Sequence, residues 1–189
     1  MKKIPTLFER VFENHKIIGI TDKITPGCEE AFYNGIATVK IDGSCCAIIN
    51  GTFYKRYDAK NGNKPPEGAI PCCKPDSITG HHPHWVKVDP NYPEDRWFYY
   101  AFRQTSMMFP MDDGTYEAIG KHFNGNPYHL DSDVLVRHGT VEVRVERTFE
   151  GVKEWLLNNY QEGLVFWLYG IPVCKIKRSD FGLPWGRRN

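Results

Sequence analysis

Hydrophobic and polar residues alternate with a period of two over three stretches that follow Gly35. Residues 36–41, 44–50 and 52–57 show this alternation, and Asn50-Gly51 between the last two is a strong signal for a type I′ β-hairpin. The three stretches predict a β-meander. Lys40 lies in the first of these strands. It would project away from the strand's apolar side, because residues two apart share one face of a strand.

Two helices are predicted from apolar residues spaced three and four positions apart. Thr6 and Glu9 resemble a capping box at the start of a short helix, whose apolar stripe is Leu7, Phe8, Val11 and Phe12. Thr148 is predicted to cap a second helix, whose apolar face is Phe149, Val152, Trp155 and Leu156.

Further strands are predicted over residues 97–102, 115–119, 141–146, 164–168 and 173–177. Residues 60–96 are rich in Pro, Gly, Asn and Lys, and we expect a long loop there that covers a site or a substrate. The pattern as a whole predicts an α+β fold of mostly antiparallel β-sheets flanked by helices, in a single domain that spans residues 1–189.

Composition supports a self-supporting globular protein. The 189 residues are 41% hydrophobic and 25% charged, and no apolar run approaches the ~20 residues needed to cross a bilayer. The N-terminus lacks the apolar core of a signal peptide, so a cytoplasmic location without membrane association is expected. The six cysteines show no Cys-x-x-Cys spacing, and reduced, packed thiols are the expectation.

The distribution of charge limits where an anionic partner can bind. The net charge is +1, so the field of the whole molecule would hold nucleic acid only weakly. A local excess lies in residues 174–189, where one acidic residue, Asp180, accompanies five basic ones: Lys175, Lys177, Arg178, Arg187 and Arg188.

The histidines of the long loop, His81, His82 and His84, lack companion metal ligands at familiar spacing and are expected to be solvated.

Lys40 begins the sequence Lys-Ile-Asp-Gly, which can act as a nucleophile motif or as a plain Asp-Gly turn. A lysine attacks phosphorus only as the neutral amine, and an unperturbed side chain has a pKa of ~10.4. Lys175 and Lys177, two residues apart on a predicted strand, would share one face. Cations ~6 Å away would favour the neutral amine of Lys40 and would also hold a triphosphate.

Four ordered motifs resemble those of the covalent nucleotidyltransferase superfamily, which includes ATP-dependent DNA and RNA ligases and messenger-RNA capping enzymes. They are Lys40-Ile41-Asp42-Gly43, Tyr116-Glu117-Ala118-Ile119-Gly120, Glu162-Gly163-Leu164-Val165-Phe166 and Lys175-Ile176-Lys177. Ser44 and the segment from Lys177 to Trp185 are similar to RNA ligases, in particular to a small family of 5′-to-3′ RNA ligases that includes a vertebrate enzyme. The resemblance covers most of the chain and implies the nucleotidyltransferase fold.

The resemblance also implies an activity and a set of site residues. Lys40 would form a covalent lysyl-AMP from ATP with Mg²⁺ or Mn²⁺, and the AMP would pass to an RNA 5′-phosphate before a 3′-hydroxyl seals the strand. Glu117 would contact the ribose, and both Glu117 and Glu162 are candidates for metal placement, through water. Lys175 and Lys177 would hold the α-phosphate and the leaving pyrophosphate, and with Lys40 and Glu162 they are the catalytic candidates. The remaining candidates for nucleotide binding are Asp42, Gly43 and Arg56.

Two features narrow this interpretation. Cys45 stands where DNA ligases usually carry an arginine, which disfavours DNA nick sealing. We also expect no C-terminal oligonucleotide-binding-fold domain. We expect a monomer that acts on RNA ends. A GTP-using capping-type guanylyltransferase and a non-catalytic module that binds RNA ends or nucleotides are the alternatives. The aromatic residue that would stack on adenine stays open among Tyr116, Phe149, Phe166 and Trp167.

Overall fold

A computed structural model describes residues 3–14, 16–60, 63–76 and 79–186 of the chain. The strands of its sheets pair antiparallel, and helices accompany them, so the predicted α+β class with mostly antiparallel sheets is confirmed. The chain divides into two compact units. The central unit holds Asp42–Arg137, and the terminal unit holds Lys3–Ile41 and His138–Asn189. A single domain over residues 1–189 stays a prediction.

The described residues form the following elements in chain order. The strands are β1 (Phe8–Glu13), β2 (Lys16–Ile24), β3 (Ile36–Lys40), β4 (Ser44–Ile49), β5 (Thr52–Ala59), β6 (Ile70–Pro71), β7 (His82–Lys87), β8 (Gly114–Ile119), β9 (Val134–Arg137), β10 (Glu142–Val143), β11 (Gly163–Leu168) and β12 (Ile171–Lys177). The α-helices are α1 (Glu29–Asn34), α2 (Arg96–Met108) and α3 (Phe149–Asn158).

The terminal unit contains a four-stranded sheet in the order β10-β3-β11-β12 and the hairpin of β1 and β2. One face of the sheet is apolar and packs into a core with α1, α3 and the start of β1; its fully buried residues include Leu7, Phe32, Leu156, Leu164, Phe166 and Ile176. The Thr148 hydroxyl accepts a hydrogen bond from the Gly151 N–H at 3.0 Å, so the predicted cap of α3 is confirmed. The opposite face of the sheet carries polar side chains together with Val165 and Trp167.

The central unit contains a six-stranded sheet in the order β6-β7-β5-β4-β8-β9. Helix α2 covers one face, where its aromatic residues pack against a core of Cys46, Ile48, Phe53, Tyr116, Ala118 and Leu135. Asn50 and Gly51 have φ angles of 50° and 71°, which is the left-handed pair that a type I′ turn requires. The predicted hairpin between β4 and β5 is therefore confirmed.

The predicted helix at Thr6–Phe12 is wrong. Phe8–Glu13 is strand β1, which pairs antiparallel with β2, and Thr6 forms a parallel bridge with Lys175. A run of mixed apolar and charged residues fits both periods over so short a stretch, and pairing with β2 and β12 satisfies its backbone groups.

The predicted β-meander is also wrong, although its three strands exist. β3 pairs with β10 and β11 in the terminal unit, whereas β4 pairs with β5 and β8 in the central unit. The Lys40-Ile41-Asp42-Gly43 sequence therefore does not lie in the arm of a hairpin. It is the stretch of chain that leaves one sheet and enters the other.

Three further expectations are corrected in detail. Residues 97–102 belong to α2 rather than to a strand, because Ala101 and Thr105, four residues apart, face the core. Of residues 141–146, Glu142–Val143 is the paired strand. The stretch 60–96 contains β6 and β7 in its described part, and His84 is 3% exposed rather than solvated.

No helix within the described ranges is both long enough and apolar enough to cross a membrane.

The cap of α3 gives a first testable prediction. Replacement of Thr148 by Ala removes the acceptor for the Gly151 N–H, and we expect a loss of ~1 kcal/mol in the free energy of unfolding. Urea denaturation followed by circular dichroism measures it. The Thr148→Ser variant keeps the hydroxyl and should retain most of the stability; equal losses in both variants would contradict the assigned cap.

Candidate active site

Strand β11 places two lysines on either side of a glycine. Gly163 lies opposite Lys40 of β3 on one side and opposite Lys177 of β12 on the other. Directly opposed residues of antiparallel strands project to the same face, so both lysines share the face that points away from the core. Lys175, two residues before Lys177, lies on this face as well, while Cys174 and Ile176 are fully buried on the other.

Gly163 is required by the close packing of β11 against β12. A Cβ atom at this position would lie 2.0 Å from the Ile176 carbonyl oxygen and 2.9 Å from the Lys177 Cα. Both are backbone atoms that cannot move aside without separating the strands. The glycine therefore lets the strand of Lys177 approach closely and leaves the space between the lysines free of a side chain.

Glu162 fills that space from one residue upstream. Its Oε1 accepts from Lys177 Nζ at 2.8 Å, and its Oε2 accepts from Lys40 Nζ. The carboxylate is 6% exposed, and its backbone carbonyl accepts from the Arg178 N–H at 2.9 Å. A buried carboxylate must be paired, and here two ammonium groups share one. The structure thus brings three predicted site residues into direct contact.

Lys175 lies in the same field without a carboxylate contact of its own among the described side chains. Its pKa is lowered from 10.5 to about 8, chiefly by burial and in addition by the positive charges of Lys40 and Lys177, against a smaller raising effect of Glu162. Its backbone is fixed on both sides, since Lys175 N–H donates to the Pro5 carbonyl at 3.0 Å and the Leu7 N–H donates to the Lys175 carbonyl at 2.7 Å. A substantial fraction of Lys175 is consequently neutral just above pH 8.

Sequence reasoning missed Arg10, which approaches this cluster from β1. Its Nε and Nη2 donate to Asp180 Oδ1 at 3.2 and 2.8 Å, and the charge of Arg10 also lowers the pKa of Lys175. The predicted N-terminal helix concealed this residue, and no local motif marks it. Its role depends on pairing across about 170 positions of sequence.

Arg56 and Glu117 lie on the central unit's sheet, on either side of Cys45. Glu117 is directly opposite Cys45 in the pairing of β8 with β4, and it is 9% exposed. The pKa of the Cys45 thiol is raised to about 12, chiefly by burial and in addition by the Glu117 charge, while the Arg56 charge opposes the rise. The two predicted residues thus act on one thiol from opposite sides, on the sheet face away from the core.

Asp42 and Gly43 are held by a loop of the central unit. The Asp42 N–H donates to the Tyr128 hydroxyl at 2.8 Å, and Asn124 Nδ2 donates to Asp42 Oδ1 at 2.9 Å and to the Gly43 carbonyl at 2.7 Å. A Cβ on Gly43 would lie 2.2 Å from the Ala118 carbonyl oxygen, so this position requires glycine. The sequence analysis identified neither Asn124 nor Tyr128, whose contacts with Asp42 join positions 82 and 86 residues apart.

The four candidate aromatic residues differ in their surroundings. Tyr116 and Phe166 are buried in the cores of their units, and the Phe149 ring packs against the Phe8 ring at a centroid distance of 5.0 Å. Trp167 is half-buried on the lysine face of β11, where its indole N–H donates to the Thr38 hydroxyl at 2.8 Å. Of the four, Trp167 shares a sheet face with Lys40.

The carboxylate oxygens of Glu162 are of the kind that bind a hard cation, but the described residues do not form a complete cation site by themselves. No group of three His, Cys, Asp or Glu side chains within the described ranges converges on a metal position. Mg²⁺ in nucleotide sites takes one or two carboxylates together with phosphates and water. Glu162 offers such oxygens, and both are held by lysines.

The basic C-terminal segment is not a uniform surface patch. Arg178 is 6% exposed and donates to the carbonyls of Leu156, Asn159 and Pro184, so it ties the end of α3 to the following turn. The Arg178 guanidinium is therefore not positioned on the surface to bind a polyanion. Arg187 and Arg188, which the prediction also counted, lie outside the described residues.

Comparison with known proteins yields three relatives of one kind. RNA ligase 1 of Rattus norvegicus is 27% identical over 229 aligned positions, which cover 81% of this chain and 69% of that protein. RNA ligase 1 of Pongo abelii and of Mus musculus are each 26% identical, over 81% of this chain and 69% and 68% of those proteins. No protein-family model matches the chain. The predicted relationship to RNA ligases is confirmed.

The packing of Gly163 predicts an asymmetric response to substitution. Gly163→Ala places a methyl group against the Ile176 carbonyl, and we expect a loss of ~1–3 kcal/mol in the free energy of unfolding, as for other overpacked sites. Gly19→Ala in β2 is the matched control, because nothing lies within 4 Å of its added methyl group; its effect should stay within ~0.5 kcal/mol. Equal effects, measured by chemical denaturation, would refute the close approach of β12.

The low pKa of Lys175 predicts its reactivity. Because the neutral amine is the reactive form, Lys175 should be acylated with a midpoint near pH 8, well below the midpoint for an ordinary lysine. Brief treatment of the folded protein with an amine-acylating ester over pH 6.5–10, followed by peptide mass spectrometry, measures this, with exposed Lys23 as the internal reference. Acylation of Lys175 only in parallel with Lys23 would contradict the assigned environment.

Proposed function

We propose that this chain, a relative of the RNA ligases, joins RNA 5′-phosphate and 3′-hydroxyl ends with ATP, through a covalent lysyl-AMP on Lys40. The observation that carries the proposal is that the Glu162 carboxylate binds both Lys40 and Lys177. Lys175 lies two residues before Lys177 on the same strand, β12. A purely binding module has no need for an amine whose position is fixed by a buried carboxylate. The nucleotidyltransferase fold is part of the proposal.

Lys40 is the nucleophile of the proposed first step. Its nitrogen is hydrogen bonded to Glu162, and this contact orients the amine. Nζ first gives up one proton to water, and its lone pair then forms a bond with the α-phosphorus of ATP while the bond to the pyrophosphate oxygen breaks. The nitrogen releases a second proton to water as the P–N bond forms. The pyrophosphate leaves with both electrons of that bond, and AMP remains on Lys40.

Lys175 and Lys177 supply the positive charge that the step requires. Negative charge accumulates on the phosphate oxygens as phosphorus becomes five-coordinate, and fixed cations in a partly buried site stabilise it without reorganisation. Both lysines are held in place by their strand, and Lys177 has the Glu162 contact in addition. A triphosphate that binds them would also weaken the hold of Glu162 on its two partners.

The remaining steps use the same chemistry on RNA. The RNA 5′-phosphate attacks the phosphorus of lysyl-AMP and releases the amine, which gives RNA with an adenylylated 5′ end. A 3′-hydroxyl then attacks the RNA phosphate, and AMP leaves as the phosphodiester forms. Asp42, Gly43, Arg56 and Glu117 of the central unit are proposed to bind the nucleotide, as the resemblance implies, and Trp167 is the proposed aromatic contact of the base.

Mg²⁺ or Mn²⁺ bound with ATP would neutralise phosphate charge and polarise the α-phosphate. Glu162 is our candidate to hold it, through water, because its oxygens are hard donors already placed among the phosphate-binding lysines. The assignment of Glu117 to the same role stays a prediction.

Loading of AMP onto the protein tests the proposal directly. Purified protein is incubated with ATP or GTP labelled in the α-phosphate, denatured, and measured for retained label, and the intact mass is recorded. We expect label from ATP, a mass increase of one AMP and, with RNA that carries a 5′-phosphate and a 3′-hydroxyl, a joined product. Label from GTP alone would favour a guanylyltransferase, and no label from either nucleotide would favour a binding module.

Lys40 has a well-matched control in this chain. Lys40→Ala should abolish labelling, because it removes the proposed nucleophile. Lys55→Ala should keep it, although Lys55 forms a similar ion pair with buried Asp95: the side chains are 20% and 6% exposed for Lys40 and Glu162, and 21% and 4% for Lys55 and Asp95. Both variants lose one half of a comparable pair, so a general loss of stability affects both. Labelled Lys40→Ala protein would show that another residue is the nucleophile.

A further inference from the structure

The lysines of the cluster are braced by the N-terminal segment, residues 5–10, which none of the four motifs includes. Pro5 and Leu7 bind the backbone of Lys175 from both sides at 3.0 and 2.7 Å, in parallel pairing with β12. Leu7 and Phe8 are 0% and 1% exposed, so this segment is anchored in the core of the terminal unit. Arg10 then emerges from β1 next to the turn that follows Lys177.

Asp180 connects Arg10 to Lys177. Its Oδ2 accepts from the Lys177 backbone N–H at 2.9 Å, and its Oδ1 accepts from Arg10 at 2.8 and 3.2 Å. The Asp180 carboxylate is 5% exposed, whereas the Arg10 side chain is 30% exposed. A carboxylate so buried needs a paired charge, and Arg10 provides it. Without Arg10, the carboxylate that fixes Lys177 would be a buried anion with no ion-pair partner among the described side chains.

We infer that Arg10 is a positioning residue of the lysine cluster, which acts through Asp180 to hold the backbone of Lys177 and thereby the contact of Lys177 with Glu162. The Glu162 carboxylate accepts hydrogen bonds from both Lys177 and Lys40. A displaced Lys177 would therefore change the surroundings of the proposed nucleophile. The catalytic consequence rests on the proposed function, but the position of Arg10 relative to Lys175 and Lys177 does not.

Arg10 also contributes charge to the cluster. Among the described residues, the charged groups that act on the pKa of Lys175 include Lys40 from β3, Lys177 from its own strand, Glu162 before β11 and Arg10 from β1. Arg10 therefore favours the neutral amine of Lys175. The pKa of Lys175 therefore reports the proximity of Arg10 in the folded protein. This measurement needs no nucleotide, and a change in overall stability would not mimic it.

The test combines two single variants with their double variant. Arg10→Gln removes the charge, and Asp180→Asn keeps an acceptor for the Lys177 N–H but abolishes the ion pair. We expect each to slow the loading of AMP by about tenfold, since small misplacements in a catalytic site have effects of this size or larger. If Arg10 acts through Asp180, the double variant should be no slower than the slower single variant, because residues in one network are not additive.

Two further variants control for charge and for folding. Lys153→Gln removes a cation of the same unit from an exposed pair with Glu150 at 3.8 Å and should load AMP at the wild-type rate. Arg10→Lys keeps the charge and should recover part of the rate; it carries the test if Arg10→Gln does not fold. Wild-type rates in Arg10→Gln, or losses that multiply in the double variant, would overturn the inference.

Acylation of Lys175 separates this inference from the proposed function. At pH 8, Arg10→Gln should lower the acylation rate of Lys175 relative to Lys23 by roughly twofold to threefold, because loss of a nearby cation raises the pKa of Lys175. Lys153→Gln should leave the ratio unchanged. If wild-type protein never loads AMP but this ratio falls, the proposed function fails and the placement of Arg10 stands. An unchanged ratio in Arg10→Gln refutes that placement.

Discussion

A single buried carboxylate, that of Glu162, binds two lysines that lie on either side of a glycine, and the rest of the site is arranged around this interaction. The sheet brings Lys40, Gly163 and Lys177 into one row across three strands. Each lysine alone would be an ordinary strand residue with a mobile side chain. The shared carboxylate fixes both ammonium groups at defined positions, and its burial makes the pairing obligatory.

The site carries more positive than negative charge. Around Glu162 and Asp180 lie four cations: Lys40, Lys175, Lys177 and Arg10. Two carboxylates balance two of these four charges, because Glu162 is shared by Lys40 and Lys177 and Asp180 pairs with Arg10. Lys175 has no carboxylate contact among the described side chains, and its pKa is about 8. Such an excess is unfavourable for the folded chain by itself and favourable for a polyphosphate that enters it. The cost is offset by the anchoring of each lysine in a sheet with an apolar opposite face.

Local signals predicted those elements whose cause is local. The cap of α3 depends on a hydroxyl three residues from its N–H partner, the β4–β5 hairpin depends on Asn50-Gly51, and alternation along β12 places Lys175 and Lys177 on one face. The errors occurred where distant pairing decides. Aromatic residues at 97–102 favour a strand locally, yet packing against the central sheet selects a helix. Thr6–Phe12 became extended because β2 and β12 offered partners for its backbone.

The sequence by itself determined the residue types of the site and the periods that expose them: a lysine before Asp-Gly, a glutamate before glycine, and two lysines two residues apart. These are local properties, because alternation along a strand follows from the backbone alone. Tertiary structure decided that Lys40 and Lys177 share Glu162 and that β3 pairs in a different sheet from β4 and β5. It also decided that Arg10 supports the cluster through Asp180. Each of these depends on which strands pair and in which register, and register is set by burial of a whole sheet face rather than by any short motif.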